Sequence, residues 1–267
     1  MSFISTMVRQ CRSALLIASI FFSGCVFSES ASAATETTIY SFANAPDANH
    51  PAYGVTQGPD GNLYGTTPQG GADGGGVGNG AIYQLTPPTK KHPSWQEKVI
   101  YSFAGGSKGY APQGPLVFDA AGNAYGTAEN GGDMTSCHNQ GCGLVYMLSP
   151  PAPGGKKWKY KVLHSFTGLD GQSPTGAVTL DSAGNLYGAT LYGGNDNYCT
   201  FDCGVIFKLS TPPAGKVKWK EEVLYVMQHD FGAVPNGGLI FNATQSALYG
   251  TTQGGGTNLL DGVVFAL

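Results

Sequence analysis

The feature that most constrains this chain is a motif that occurs four times at nearly constant spacing. Tyr-Gly followed by two small residues stands at Tyr64-Gly65-Thr66-Thr67, Tyr125-Gly126-Thr127-Ala128, Tyr187-Gly188-Ala189-Thr190 and Tyr249-Gly250-Thr251-Thr252, with the tyrosines 61, 62 and 62 residues apart. A glycine pair follows each: Gly70-Gly71, Gly131-Gly132, Gly193-Gly194 and Gly255-Gly256. A β-branched or aromatic run comes next: Ala81-Ile82-Tyr83, Leu144-Val145-Tyr146, Val205-Ile206-Phe207 and Val263-Val264-Phe265. Repetition at this length is repetition of a whole supersecondary unit, which buries its apolar face by stacking on its neighbours.

Each unit reads as four short strands. The first follows a proline and runs to a turn around Asp60-Gly61-Asn62, Gly122-Asn123 or Gly184-Asn185, where the Asp-Gly-Asn type of turn suits a hairpin. The Tyr-Gly segment is the second strand. The third is the apolar run, ended by Pro87-Pro88, Pro150-Pro151 or Pro212-Pro213, and the fourth starts at Trp95, Trp158 or Trp219. With 41 glycines, 16 prolines and 12% charged residues, helix bundles and coiled coils are excluded as the organising principle. Four antiparallel strands per unit predict an all-β, four-bladed β-propeller. The units lie at about 51–103, 112–166, 174–227 and 235–267 plus 36–42, within a single domain of residues 34–267.

The phase of the repeat predicts how such a ring closes. The last unit stops at Phe265-Ala266-Leu267, at the end of its third strand. Near the other end, Thr37-Thr38-Ile39-Tyr40-Ser41-Phe42 matches Val99-Ile100-Tyr101-Ser102-Phe103, a fourth strand with no first three before it. Pairing the N-terminal strand with the last blade would close the ring and remove two open edges. This reading predicts a monomer, the alternative being a half-ring that dimerises.

Residues 1–33 read as a secretory signal peptide. Arg9 and Arg12 precede a short apolar run, Ala14 to Phe22, and Ala31-Ser32-Ala33 suits cleavage before Ala34. The run is shorter than a membrane span needs, so no transmembrane segment is expected in the mature chain. Cys25, after Phe22-Ser23-Gly24, offers a second route, lipidation, in place of the Ala-x-Ala site. The expected destination is periplasmic or extracellular, by the general secretory pathway. Residues 34–267 carry 12 lysines, 16 acidic residues and no arginine. With no basic excess and no guanidinium fork, a nucleic-acid partner is excluded.

The repeated GNLYGTT, the glycine pair, GVVFAL and the WKEEVLY between units resemble the bacterial choice-of-anchor GloVer tandem repeat family, over about residues 36–267. The resemblance implies an exported repeat protein and carries no established activity to named residues.

Four cysteines remain after residue 33. Cys137 and Cys142, and Cys199 and Cys203, each follow a glycine pair and stop just before Gly143 or Gly204, which predicts two local disulfides in an exported chain. Zinc, with His138 as a further ligand, is the rival. The loops joining second to third strands, with those around 43–50 and 104–111, should emerge on one face. There Asp73, Asp133, Tyr192, Asn195, Asp196, Tyr198, Phe201 and Asp202 form the candidate binding face. Asp60, Asp119, Asp181 and Asn242 recur at the turns, where Asx-turn chemistry accounts for them. His164 takes the place of a tyrosine in the other fourth strands and reads as a packed core residue. No Gly-x-Ser-x-Gly, His-Glu-x-x-His, phosphate loop or EF-hand loop is present, so no catalytic residue, metal ligand or cofactor is expected. The expectation is a non-catalytic binding or interaction module for a glycan or an envelope protein. A secreted glycan-acting hydrolase or lyase is the alternative.

Overall fold

The structure, a computed structural model, describes residues 34–43, 46–72, 78–194, 203–228, 232–257 and 261–267. Residues 1–33, read as a signal peptide, with Cys25 among them, lie outside the described residues. Contacts separate Met1–Thr37, of which 34–37 are described and carry no regular structure, from Thr38–Leu267, which holds every described strand.

The sequence periodicity becomes four sheets of four antiparallel strands. The first unit runs through β1 (Ala48–Asn49), β2 (Thr56–Gln57), β3 (Leu63–Thr67), β4 (Gln69–Gly70), β5 (Ala81–Thr86) and β6 (Gln96–Ser102). Its sheet has the order β2-β3-β5-β6, with β1 and β4 forming a small separate ladder. The second sheet is β7 (Tyr110–Phe118), β8 (Ala124–Asn130), β9 (Leu144–Ser149) and β10 (Lys159–Ser165), neighbours in that order. The third repeats it with β11 (Gln172–Leu180), β12 (Leu186–Tyr192), β13 (Val205–Ser210) and β14 (Lys220–Val226). In the fourth, the first strand is split into β15 (Ala233–Pro235) and β16 (Ile240–Phe241), both pairing β17 (Leu248–Gly254), which also pairs β18 (Val264–Ala266). Third strands end just before the proline pairs, at Thr86, Ser149 and Ser210, because proline supplies no ladder donor.

The invariant glycine of each Tyr-Gly motif has a steric cause. In register, Gly65 faces Tyr83, Gly126 faces Tyr146, Gly188 faces Phe207 and Gly250 faces Phe265. Each aromatic ring lies across its glycine: a Cβ on Gly126 would sit 2.5 Å from the Tyr146 hydroxyl, and one on Gly188 would sit 2.5 Å from the Phe207 ring. The tyrosine before each glycine points to the opposite face, as strand alternation requires; in the first three units it is covered by the next sheet, whereas Tyr249 of the fourth is exposed. Tyr64 packs on Phe118 and Trp158, Tyr125 on Trp219, and Tyr187 on Phe241. Hydroxyls beside them reach across: Thr56 Oγ1 donates to the Leu116 carbonyl, Thr66 Oγ1 to that of Gly114 and Thr127 Oγ1 to that of Gly176. Thr179 Oγ1 donates in the same way to the Leu239 carbonyl.

Fourth strands carry the other half of each interface. Phe103, just past β6, packs on Tyr146 of the second sheet, and Phe166, just past β10, on Phe207 of the third. Left-handed residues before prolines add a fixed stitch. Ala111, Ser173 and Val234 all have positive φ, and their N–H groups donate to the carbonyls of Asn79, Cys142 and Cys203 in the preceding unit.

The N-terminal segment differs from the expectation. Residues 38–42 form no strand, and among the described residues β18 pairs only with β17. Phe42 instead packs edge-on over Tyr83 of the first sheet at 4.7 Å, with Tyr40 against it. This is the position that Phe103 takes over Tyr146: the first sheet has no predecessor to bury Tyr83, and Phe42 fills the gap.

Candidate functional site

A cleft of about 600 Å³ opens between the first two sheets. It lies at the end of the sheets where first strands turn into second and third into fourth. Asp133 and Tyr192, the described members of the candidate binding face, lie at the opposite end, where second strands lead on to third. Its apolar walls come from Tyr64, Phe118, Trp158 and the Pro150-Pro151 pair that terminates β9. Asp60, Gln84, Lys98 and Lys156 supply its polar groups.

The turn builds the polar part. Asp60 Oδ1 accepts the Asn62 N–H, and Asp60 Oδ2 accepts the side-chain amide of Asn62 and the Tyr64 hydroxyl at 2.8 Å. Gln84 Nε2 donates to the same hydroxyl at 2.7 Å. Burial raises the Asp60 carboxyl, but hydrogen bonds from Tyr64 and Asn62 outweigh it and hold its pKa below the ordinary value, so the group is anionic. Burial and the Asp60 hydrogen bond push Tyr64 far up, which keeps the phenol neutral. The network repeats at Asp119, Asn123 and Tyr125, and at Asp181, Asn185 and Tyr187. The recurrent turn acids therefore act as Asx-turn acceptors, as the sequence suggested. At Asn242 the side-chain oxygen accepts the Ser246 N–H in the same way.

The residues chosen from sequence fare unevenly. Asp73, Asn195, Asp196, Tyr198, Phe201, Asp202 and Cys199 lie outside the described residues. Asp133 is spent on its own loop, accepting from Thr135 and Ser136. Tyr192 ends β12 opposite Gln172, half-buried. Cys137 and Cys142 form a disulfide, which removes both thiolates from any zinc site there, and Cys203 is disulfide-bonded too. The Cys137–Cys142 loop holds Cys137, His138 and Asn139 in three successive left-handed conformations. Chain-entropy arithmetic gives so short a loop about 2 kcal/mol of stabilisation.

Sequence reasoning missed the cleft, although the Pro-Pro-to-Trp spacing carried a signal for it. It also gave no sign of what surrounds His164. That side chain packs edge-on to Phe166, yet its Nε2 lies 2.9 Å from Asp170 Oδ2, and Glu221 completes a cluster whose ligand atoms all lie within 4.8 Å of one another.

A related acid stands at the same register on the first sheet: Glu97 faces Leu85 as Glu221 faces Leu209. Burial, and then the Asp47 carboxylate beside it, raise the Glu97 pKa from 4.5 to about 7. Between those values the folded chain holds a proton that the unfolded chain has released, so stability falls as pH rises from about 4.5 to about 7. Glu97→Gln should remove that part of the pH dependence. Discounted for solvent screening of a half-exposed group, the gain at pH 8 is about 1 kcal/mol, or ~3 °C in melting temperature. Thermal melts of both proteins between pH 4 and 8 check this, and parallel curves would refute it.

No helix among the described residues is long and apolar enough to cross a membrane. No family model matches the chain, and no curated protein matches it. Among solved structures, a crystal structure bearing the name "putative gluconolactonase" is similar at 17% identity and a TM-score of 0.42, over 77% of this chain and 55% of that one. This chain thus spans about half the length of that structure.

Proposed function

We propose that this chain is an exported, non-catalytic propeller-type repeat module of the GloVer kind that binds a glycan in the cleft between its first two sheets. The observation that carries the reading is the composition of the cleft. Trp158 and Phe118 offer aromatic surface for the apolar faces of sugar rings, and Asp60, Gln84 and the two lysines offer hydrogen bonds to hydroxyls. Among the described residues Asp60 is the one carboxylate lining it, whereas glycoside hydrolysis uses a pair, which favours binding over turnover. Saturable binding of the purified protein to soluble polysaccharides, with no release of reducing ends, is the expected result. Trp158→Ala, with folding verified by its melt, should weaken that binding at least about tenfold, the equivalent of 1.4 kcal/mol. Binding by neither protein, or release of reducing ends, would overturn the reading.

The same reading has the four sheets closing as a four-bladed ring through residues 38–42. Ile82, Val145 and Ile206 are fully buried under the following sheet, while their counterpart Val264 is 80% exposed. Leu116, Val178 and Leu239 are buried, while their counterpart Val55 is 50% exposed. Two complementary faces, one on each end sheet, are what closure would cover, and Phe42 already occupies the place of a preceding fourth strand. A cysteine pair at Tyr40 and Ala266 should cross-link within one monomeric chain under oxidation. Cross-linking only between chains would show a dimer of half-rings instead. Export through cleavage before Ala34 predicts an intact mass beginning at that residue, against a lipid-modified Cys25.

A further inference from the structure

The quasi-symmetry of the sheet interfaces isolates one place where the packing chemistry changes. Register aligns Tyr101, His164 and Tyr225 on the fourth strands, opposite Ile82, Val145 and Ile206. It aligns Glu97, Tyr160 and Glu221 one sheet further on, opposite Leu85, Leu148 and Leu209. Between the first and second sheets the two positions are closed by a stacked ring pair, Tyr101 on Tyr160, with centroids 4.1 Å apart and planes at 5°. Between the second and third sheets they are His164 and Glu221, and Asp170 joins them from the turn after β10.

We propose that His164, Asp170 and Glu221 form a binding site for a divalent transition-metal ion of the zinc type, clamping the second sheet to the third. Three features support it. The donor set mixes one imidazole nitrogen with two carboxylates, from three separate chain segments, at spacings an ion can bridge. The ligands are already oriented. Asp170 Oδ1 is tied down by the N–H and hydroxyl of Thr167 at 2.7 and 2.9 Å, leaving Oδ2 toward His164, an arrangement in which outer hydrogen bonds fix an inner ligand. Finally, Glu221 Oε1 is buried with no hydrogen-bond partner, an expense that a cation would remove. Both His164 and Asp170 keep about a fifth of their side-chain surface accessible, so an ion has a way in.

Isothermal titration of metal-stripped protein with Zn²⁺ tests the site. The expected result is one ion per chain at micromolar affinity or tighter, with the melting temperature rising by several degrees in excess Zn²⁺. Ca²⁺ should bind at least about tenfold more weakly, since imidazole is a poor ligand for it. His164→Tyr restores the residue found at positions 101 and 225, and Glu221→Gln keeps the side chain's size. Each should lose at least about tenfold in Zn²⁺ affinity, because each removes one ligand of three, and each should lose the thermal shift while melting normally in chelator. Absence of stoichiometric binding to the parent protein overturns the proposal. So does undiminished binding in both variants, which would place the ion elsewhere on the chain. Should one variant fail to fold, the other alone decides.

Discussion

Gly126→Ala should lower the melting temperature by about 8 °C, the effect of roughly 3 kcal/mol on a chain this size. The added methyl would sit 2.5 Å from the Tyr146 hydroxyl and 2.7 Å from its ring, with Leu116 at 3.1 Å on the other side. Tyr146 has no accessible surface and is held between Phe103 and Tyr160, so its ring cannot swing aside without opening the interface between two sheets. The same substitution at Gly61 is the control for glycine content as such, since nothing lies within 4 Å of a Cβ there and only its positive φ resists the change. Circular dichroism melts compare them. A Gly126→Ala protein as stable as its parent would show that the ring does not lie over that glycine.

Phe103→Ala is expected to cost about 3–5 kcal/mol, the usual range for removing a buried phenyl ring, and so to lower the melting temperature by ~10 °C. Phe103 is fully buried, and it meets Tyr101, Tyr146 and Tyr160 at centroid distances of 5.0, 5.3 and 5.9 Å. Its backbone N–H also binds the Gly80 carbonyl, which fixes where the ring enters. Because the side chain belongs to the first unit and its pocket to the second, the loss falls on the coupling between repeats. Calorimetry should show the single transition of the parent broaden or divide in the variant. A sharp, unshifted transition would mean that these sheets are not coupled through this ring.

The strands were legible in the sequence because their signals are local. Turns of the Asp-Gly-Asn type and terminating proline pairs each act over a few residues, and the observed strands follow them closely. β5 stops at Thr86 before Pro87-Pro88, and β10 begins at Lys159, next to Trp158. The tight cysteine spacing was equally readable, and Cys137–Cys142 is bonded as expected. The cleft was not readable in the same way, because Asp60 and Trp158 belong to different units and meet only when two sheets stack. The surroundings of His164 were hidden for a related reason. Alone it looks like a substituted tyrosine, and its meaning depends on Asp170 and on Glu221, which arrives from the next sheet. The segment 38–42 shows a third kind of failure: expected as a fourth strand from its sequence match, it forms none, although it does set Phe42 against the first sheet.

The interface between neighbouring sheets is written in interchangeable parts: a covered tyrosine, an aromatic plug past the fourth strand, a threonine hydroxyl and a left-handed residue before proline. Each of the first three units carries both the donor half and the acceptor half. A tandem duplication of about sixty residues would therefore find a ready surface on either side, with no new contact to invent. Lineages of such chains can change length in whole units while every existing boundary keeps its chemistry. What evolves singly, and cannot be copied by duplication alone, is the departure from that pattern: the tryptophan-lined cleft at one boundary and the histidine with its two acids at the next.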